Sequence, residues 1–199
     1  MLNKFDNNFW SERYVTGQTG WDIGMYSKPL TDYADQLQNK ELNILIPGCG
    51  NAYEAEYLSG SGFKNINLLD ISTELIKNLE SKFKGNENIK LINQNFFEHA
   101  PNEKYDLIIE QTFFCSLDPG LRENYAEKMS ELLNNNGKLV GVLFDREFDK
   151  EGPPFGGSEE EYREIFGKYF EIKILEKCYN SIPQRSGNEI FINLIKNKL

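Results

Sequence analysis

Two apolar runs carry the groups most suited to chemistry. Leu45-Ile46-Pro47-Gly48-Cys49-Gly50 ends the first with two glycines, and Asp70 ends the second, Ile66-Asn67-Leu68-Leu69, twenty residues after Gly50. A glycine turn at the end of a strand lets backbone approach a ligand closely, and an acid at the tip of the next strand can accept the hydroxyls of a ribose. A dinucleotide turn needs a third glycine three residues after the second, so that the following helix packs closely and aims its N-terminus at a pyrophosphate. That position is Tyr53. The turn therefore suits a ribose-bearing ligand without phosphates, and S-adenosylmethionine is the commonest cofactor of that kind.

Further candidates fall at the ends of later strands. Asn95 and Phe96 follow the third strand, where an amide could bond an adenine edge while a ring packs on its face; a turn residue and a core phenylalanine are the alternatives. Glu110 ends the fourth strand and could accept a hydrogen bond from a cofactor ammonium group. Phe114, just beyond it, and Phe155, held by Gly152-Pro153-Pro154, are candidate walls for a substrate, with a rigid surface loop the alternative for Phe155. Trp10 and Tyr14 share a helical face and form, with Trp21, either a core stripe or an aromatic arm that closes over the site. Arg122 is either a substrate-side cation or part of a solvated helix face. Cys115 lacks a histidine partner to make it a nucleophile, and His99, the only histidine, reads as a surface-loop residue.

These groups need an α/β scaffold, and the order of elements supplies one. Helices are expected at 5–16, 29–38, 51–60, 72–83, 119–133 and 158–167. Strands are expected at 42–46, 66–70, 89–92, 105–110 and 138–144, and alternation of this kind predicts a mostly parallel sheet covered on both faces. The last two runs, 170–178 and 189–196, are joined by a turn-rich segment with no room for a crossover helix, so they should form an antiparallel hairpin. Ser72, Asp118 and Ser158 stand at helix N-caps, with Pro119 in a first turn. Seven strands in this arrangement predict a Rossmann-like class I methyltransferase fold, with residues 1–40 as a helical lid on a single domain of 1–199.

Composition limits the partners. The formal charge of -9 over 199 residues argues against nucleic acid, whose affinity rests on basic residues. Three scattered cysteines form neither a disulfide framework nor a metal cluster and fit a reducing cytoplasm. No stretch approaches a membrane span, and the N-terminal residues lack the apolar region of a secretion signal. A small-molecule substrate and a monomer are expected.

The ordered set Trp10-(x)3-Tyr14-(x)2-Gly17-(x)-Thr19-Gly20-Trp21-Asp22, Pro47-Gly48-Cys49-Gly50, Leu69-Asp70-Ile71-Ser72, Thr112-Phe113-Phe114-Cys115-(x)2-Asp118-Pro119-(x)2-Arg122 and Gly152-Pro153-Pro154-Phe155 resembles the thiopurine S-methyltransferase family, most closely its thiol and halide methyltransferase branch. The resemblance implies methyl transfer from S-adenosyl-L-methionine to a small soft nucleophile (a thiol, hydrosulfide, halide or thiocyanate), leaving S-adenosyl-L-homocysteine. It assigns Trp10, Tyr14 and Trp21 to a lid on the cofactor, Gly48, Gly50 and Asp70 to its amino-acid and ribose portions, and Asn95 with Phe96 to its adenine. It also pairs Glu110 with Gln111, where relatives carry tyrosine, places Arg122 near the substrate, and matches Arg185-(x)-Gly187-(x)-Glu189 to the family's C-terminal segment. A non-catalytic module that binds S-adenosylmethionine is the alternative function.

Overall fold

The computed structural model describes residues 4–149 and 151–197, so residues 1–3 of the expected lid and 198–199 of the expected domain lie outside it. Seven strands form one sheet: β1 (Asn43–Pro47), β2 (Asn65–Asp70), β3 (Ile89–Asn93), β4 (Tyr105–Gln111), β5 (Leu133–Phe144), β6 (Phe170–Lys177) and β7 (Glu189–Lys196). Their order is β3-β2-β1-β4-β5-β7-β6. The first five are parallel, and β7 runs antiparallel to both β5 and β6, as the short connection between the last two strands predicts.

Strand periodicity divides the interior into two layers. Leu45, Ile108, Leu139 and Leu143 face one core with Tyr125, Met129 and Phe166, whereas Ile44, Ile46, Leu107, Ile109, Val140 and Val142 face the other with Leu30, Leu58 and Leu75. Helices α5 (Arg122–Leu132) and α6 (Glu159–Phe166) cover the first; α2 (Lys28–Ala34), α3 (Tyr53–Gly60) and α4 (Thr73–Lys82) supply the second. Helix α1 (Asn7–Thr16) sits over the start of α4: Asn7 Oδ1 accepts the Thr73 amide at 2.9 Å, and the Ser11 and Ser72 hydroxyls are 3.0 Å apart.

Ser72 and Ser158 cap α4 and α6 by accepting the amides of Leu75 and Glu161. Asp118 instead caps a short 3-10 turn, Pro119–Leu121, that leads into α5. Strand β5 starts five residues before the expected Lys138 because its polar Asn-Asn-Asn-Gly run is tied in by side chains: Asn134 donates to Asp106 at 2.8 Å, and Leu133 pairs with Tyr105. His99 is not a surface residue. It is buried, with Nε2 2.8 Å from the Tyr105 hydroxyl and Nδ1 3.0 Å from Gln94 Oε1, and burial moves its pKa below the usual value.

One buried acid organises the carboxyl edge of the sheet. Glu110 is fully buried; its Oε1 accepts the amides of Phe113 (2.8 Å) and Phe114 (3.0 Å), and its Oε2 accepts the Tyr125 hydroxyl at 2.6 Å. It pairs across the sheet with Gly141, where a Cβ would come within 2.5 Å of Glu110 Cβ, so only glycine leaves room for the acid. Burial outweighs the three donors and raises the Glu110 carboxyl from 4.5 to about 7. A folded state that retains a proton the unfolded chain has released loses stability as pH rises through that window. Relative to Glu110→Gln, the wild type should therefore lose on the order of 3 kcal/mol of unfolding free energy between about pH 4.5 and 7, and nothing further above. Urea titrations of both proteins across that range test this; parallel curves would refute it.

Candidate functional site

A pocket opens beyond the carboxyl ends of β1, β2 and β4 and is roofed by α1 and the loop that follows it. This is the edge at which open α/β sheets bind ligands. Eight of the residues singled out in the sequence meet on its wall: Trp10, Tyr14 and Trp21 in the roof, Gly48 and Gly50 in the first turn, Asp70 after β2, and Asn95 and Phe96 after β3.

Asp70 is only 8 % exposed, and its Oδ1 accepts the Ser72 amide at 2.9 Å. Desolvation raises its carboxyl from 3.8 to about 6 despite backbone donors from Ser72, Gly50 and Ile71. Two further donors, such as ribose hydroxyls, would stabilise the ionised form. Gly48 has a φ of 56°, and a Cβ there would lie 2.3 Å from Phe113 Cδ2. Its missing side chain therefore accommodates a ring of the β4 loop, a use that the two-glycine pattern does not reveal. Asn95 directs its oxygen to the Phe97 amide at 3.1 Å, capping a 3-10 turn, and Phe96 packs against Phe97 and Phe113 with centroids 5.2 Å from each. Asn95 thus takes the turn role while standing on the pocket wall, and Phe96 is both core and wall.

The roof is an aromatic cluster. Trp21 meets Trp10 and Tyr14 edge-on, with centroids at 5.5 and 5.9 Å, and the Tyr14 hydroxyl reaches 3.7 Å from the Cβ position of Gly50. Burial pushes the Tyr14 phenol up, so it stays protonated. Three polar ties absent from the sequence reading hold this roof. Asp22 Oδ2 accepts from Asn51 Nδ2 and from the Tyr53 hydroxyl (3.2 Å), the Ser27 amide donates to buried Glu54 at 2.8 Å, and Arg185 Nη2 donates to the Trp21 carbonyl at 2.8 Å while pairing with Glu189. The available signals were Asp22 beside Trp21 and the Arg185-(x)-Gly187-(x)-Glu189 run, but nothing in the sequence aligns them with their partners.

Four expected site residues lie elsewhere. Glu110 is not on the pocket wall, since both oxygens serve the β4 loop and Tyr125. Arg122 is buried against Phe114 (4.9 Å to the ring centre) and donates to Glu161 and to the Gly156 carbonyl, both at 2.5 Å, which makes it a strut between α5 and α6. Phe114 is fully buried beside Tyr125, Tyr162 and Phe166. Phe155 turns toward Phe5 (5.8 Å), and its amide donates to the Cys115 carbonyl; Pro153 and Pro154 take its expected place on the wall. The rest of that side consists of Gln111, Thr112, Phe113, Cys115, Ser116, Leu117, Asp118 and Leu121. Cys115 Sγ donates to the Thr112 carbonyl and Ser116 Oγ to the Phe113 carbonyl, and burial pushes the Cys115 thiol well up.

Fold and site together define an S-adenosylmethionine-dependent methyltransferase of class I. The model of the family Thiopurine S-methyltransferase matches residues 5–199, and the chain belongs to that family. It is 31 % identical over 171 residues to a probable thiol methyltransferase 2 of Arabidopsis thaliana, covering 83 % of this chain and 74 % of that one. With thiocyanate methyltransferase 1 of Brassica oleracea it shares 26 % over 184 residues, covering 90 % and 81 %. Among solved structures it is similar to the 1,6-didemethyltoxoflavin-N1-methyltransferase of Burkholderia thailandensis with bound 1,6-didemethyltoxoflavin and S-adenosylhomocysteine, at a TM-score of 0.74 and 14 % identity over 96 % of this chain and 87 % of that one.

Because Arg122 is a strut, Arg122→Ala should lower the unfolding free energy by about 2 kcal/mol or more, an allowance reduced because Glu161 is partly exposed. Binding of S-adenosylhomocysteine to the folded fraction should not change. Calorimetry and urea melts check both, and unchanged stability with a weakened ligand complex would contradict the strut.

Proposed function

We propose that the protein methylates a small, soft sulfur or halide nucleophile: hydrosulfide, thiocyanate, a thiolate or a halide ion. The observation that carries this reading is the chemistry of the wall beyond β4. Among the described residues, no imidazole or amine lines the pocket; beyond β4 the Cys115 thiol and the Thr112 and Ser116 hydroxyls donate to backbone carbonyls, and the Asp118 carboxylate accepts the Gly120 amide. An acceptor that must lose a proton during transfer finds no poised base, whereas a soft nucleophile carrying its own lone pair needs none. An ordinary thiol is only a few per cent ionised at neutral pH, so acceptors that are already anionic are favoured. The family's thiol and thiocyanate methyltransferases support the same class.

In this reading Gly48, Gly50 and Asp70 hold the amino-acid and ribose portions of the cofactor, Asn95 and Phe96 flank its adenine, and Trp10, Tyr14 and Trp21 cover it. S-adenosylmethionine supplies an electrophilic methyl group on a sulfonium. The chain's own contribution is alignment and exclusion of water: the acceptor lone pair forms the new bond along the line of the breaking carbon–sulfur bond, whose electrons remain on the cofactor sulfur. The aromatic roof strips the hydration shell that would otherwise blunt an anionic nucleophile. A single-domain monomer working in a reducing cytoplasm completes the proposal, supported by three free, buried cysteines. No helix among the described residues is long and apolar enough to cross a membrane.

Two experiments test this function. Incubation with labelled S-adenosylmethionine and a panel of iodide, thiocyanate, hydrosulfide and aromatic thiols should give methylated product from at least one small anion, and no turnover across the panel would sink the proposal. Because ribose hydroxyls would donate to ionised Asp70, affinity for S-adenosylhomocysteine should rise as pH increases through about 6 and then level. Asp70→Asn should bind roughly 10- to 100-fold more weakly and show no such rise; a profile shared by both proteins would remove Asp70 from the ribose site.

A further inference from the structure

The roof carries a cation with no part in the cofactor site just described. Arg13 is the one positively charged side chain among the described residues lining the pocket, in a chain whose formal charge is -9. Among the described residues, the wall's four carboxylates are engaged by neighbours: Asp22 by Asn51 and Tyr53, Glu54 by the Ser27 amide, Asp70 by the Ser72 amide, and Asp118 by the Gly120 amide. Arg122, Arg163 and Arg185 each pair with a glutamate, whereas Arg13 pairs with no carboxylate among the described residues.

The head of Arg13 is nevertheless held. Its Nη1 donates to the Phe9 carbonyl at 3.0 Å, and its guanidinium carbon lies 3.4 Å from the centre of the Phe9 ring. Nε and Nη2 have no protein acceptor among the described residues. The helix also gives the cation a side. Asn7 and Ser11 face the start of α4, and Tyr14 approaches Gly50, all near the cofactor turn. Phe9 and Arg13 occupy the adjoining face, with the guanidinium carbon 3.4 Å from the Phe9 ring centre and 5.9 Å from that of Trp10. Phe9 abuts Phe5 at 4.9 Å, and Phe5 abuts Phe155 at 5.8 Å, beside the two prolines on the acceptor side of the wall.

We infer that Arg13 holds the methyl acceptor in the pocket as a small soft anion, through the free edge of a guanidinium carried by the lid helix. This rests on the methyl-transfer reading above and names the residue that selects its acceptor. A local cation is what an anion requires to enter a site within a strongly negative field. A guanidinium suits a polarisable anion better than an ammonium would, because it is planar, permanently charged and more weakly hydrated. It offers no proton-accepting group, in keeping with an acceptor that arrives already deprotonated.

The test uses Arg13→Gln and Arg13→Met, the latter keeping an unbranched apolar side chain to pack against Phe9, with Arg13→Lys as the conservative variant. In the removal variants KM for thiocyanate or hydrosulfide should rise roughly 10- to 100-fold, the range of a hydrogen bond to a charged group. The dissociation constant of S-adenosylhomocysteine should stay within about twofold of wild type, and Arg13→Lys should recover part of the acceptor affinity through its retained charge. Titration of thiocyanate into the S-adenosylhomocysteine complex reads the same site without turnover. If wild type methylates nothing in the panel, the methyl-transfer reading fails, while loss of thiocyanate binding in the variants still supports the anion site. Unchanged acceptor KM and unchanged thiocyanate binding would overturn the inference, as would loss of S-adenosylhomocysteine binding in both removal variants, which would assign Arg13 to the cofactor.

Discussion

The carboxyl group of Glu110, buried at the end of β4, is the constraint on which the pocket depends. A strand end normally leaves its next backbone amides to water or to a helix cap. Here one carboxyl oxygen takes two of them, from Phe113 and Phe114, and the other takes the Tyr125 hydroxyl of α5. The loop is thereby folded back onto the sheet edge. That fold places the Phe113 ring where a Gly48 side chain would be and joins the β4 loop to the glycine turn after β1. Gly141 beneath Glu110 and Gly48 beside Phe113 are two consequences of one buried acid.

The same chain of contacts separates the pocket from the support behind it. Phe114 carries the second amide that Glu110 holds and points into the core with Tyr125 and Phe166, and Arg122 lies over its ring. The guanidinium then reaches the Gly156 carbonyl, adjacent to the proline-rich segment. Residues that in sequence resemble substrate contacts thus position the residues that line the site: Phe113 rather than Phe114, and Pro153 and Pro154 rather than Phe155. A cation four residues into a helix and a cation in a pocket look alike in sequence. What distinguishes Arg122 is Glu161, thirty-nine positions away.

This explains which features were legible. Strand positions, helix caps, the parallel core and the terminal hairpin rest on local periodicity and turn chemistry, which a sequence carries directly. The glycine turn with Asp70, and the aromatic spacing of Trp10 and Tyr14, likewise depend on short-range pattern and appear on the wall as expected. The failures share a different cause. In sequence His99 reads as a surface-loop residue, Glu110 as an acceptor for the cofactor ammonium, and Arg122 as either a substrate-side cation or part of a solvated helix face; each is satisfied by a partner on another element. The early start of β5 belongs with them, since the side chain of Asn134 joins it to Asp106 of β4.

Tyr53 links the legible part to the hidden part. In sequence it is informative only as a missing glycine, which excludes a pyrophosphate. In the fold its hydroxyl meets Asp22 of the roof loop, together with Asn51, so the start of α3 engages the roof loop at the place where a dinucleotide fold would admit phosphates. Lys82 of α4 reinforces the joint by donating to the Asn51 carbonyl and lying over the Tyr53 ring. The roof loop is consequently anchored to the first helix after the glycine turn at one end and, through Arg185, to the C-terminal hairpin at the other. Between these anchors stands Trp21, in contact with both Trp10 and Tyr14. A roof fixed in this way links the first glycine turn to the C-terminal hairpin, and it lets α1 bring its aromatic rings and Arg13 to the pocket together.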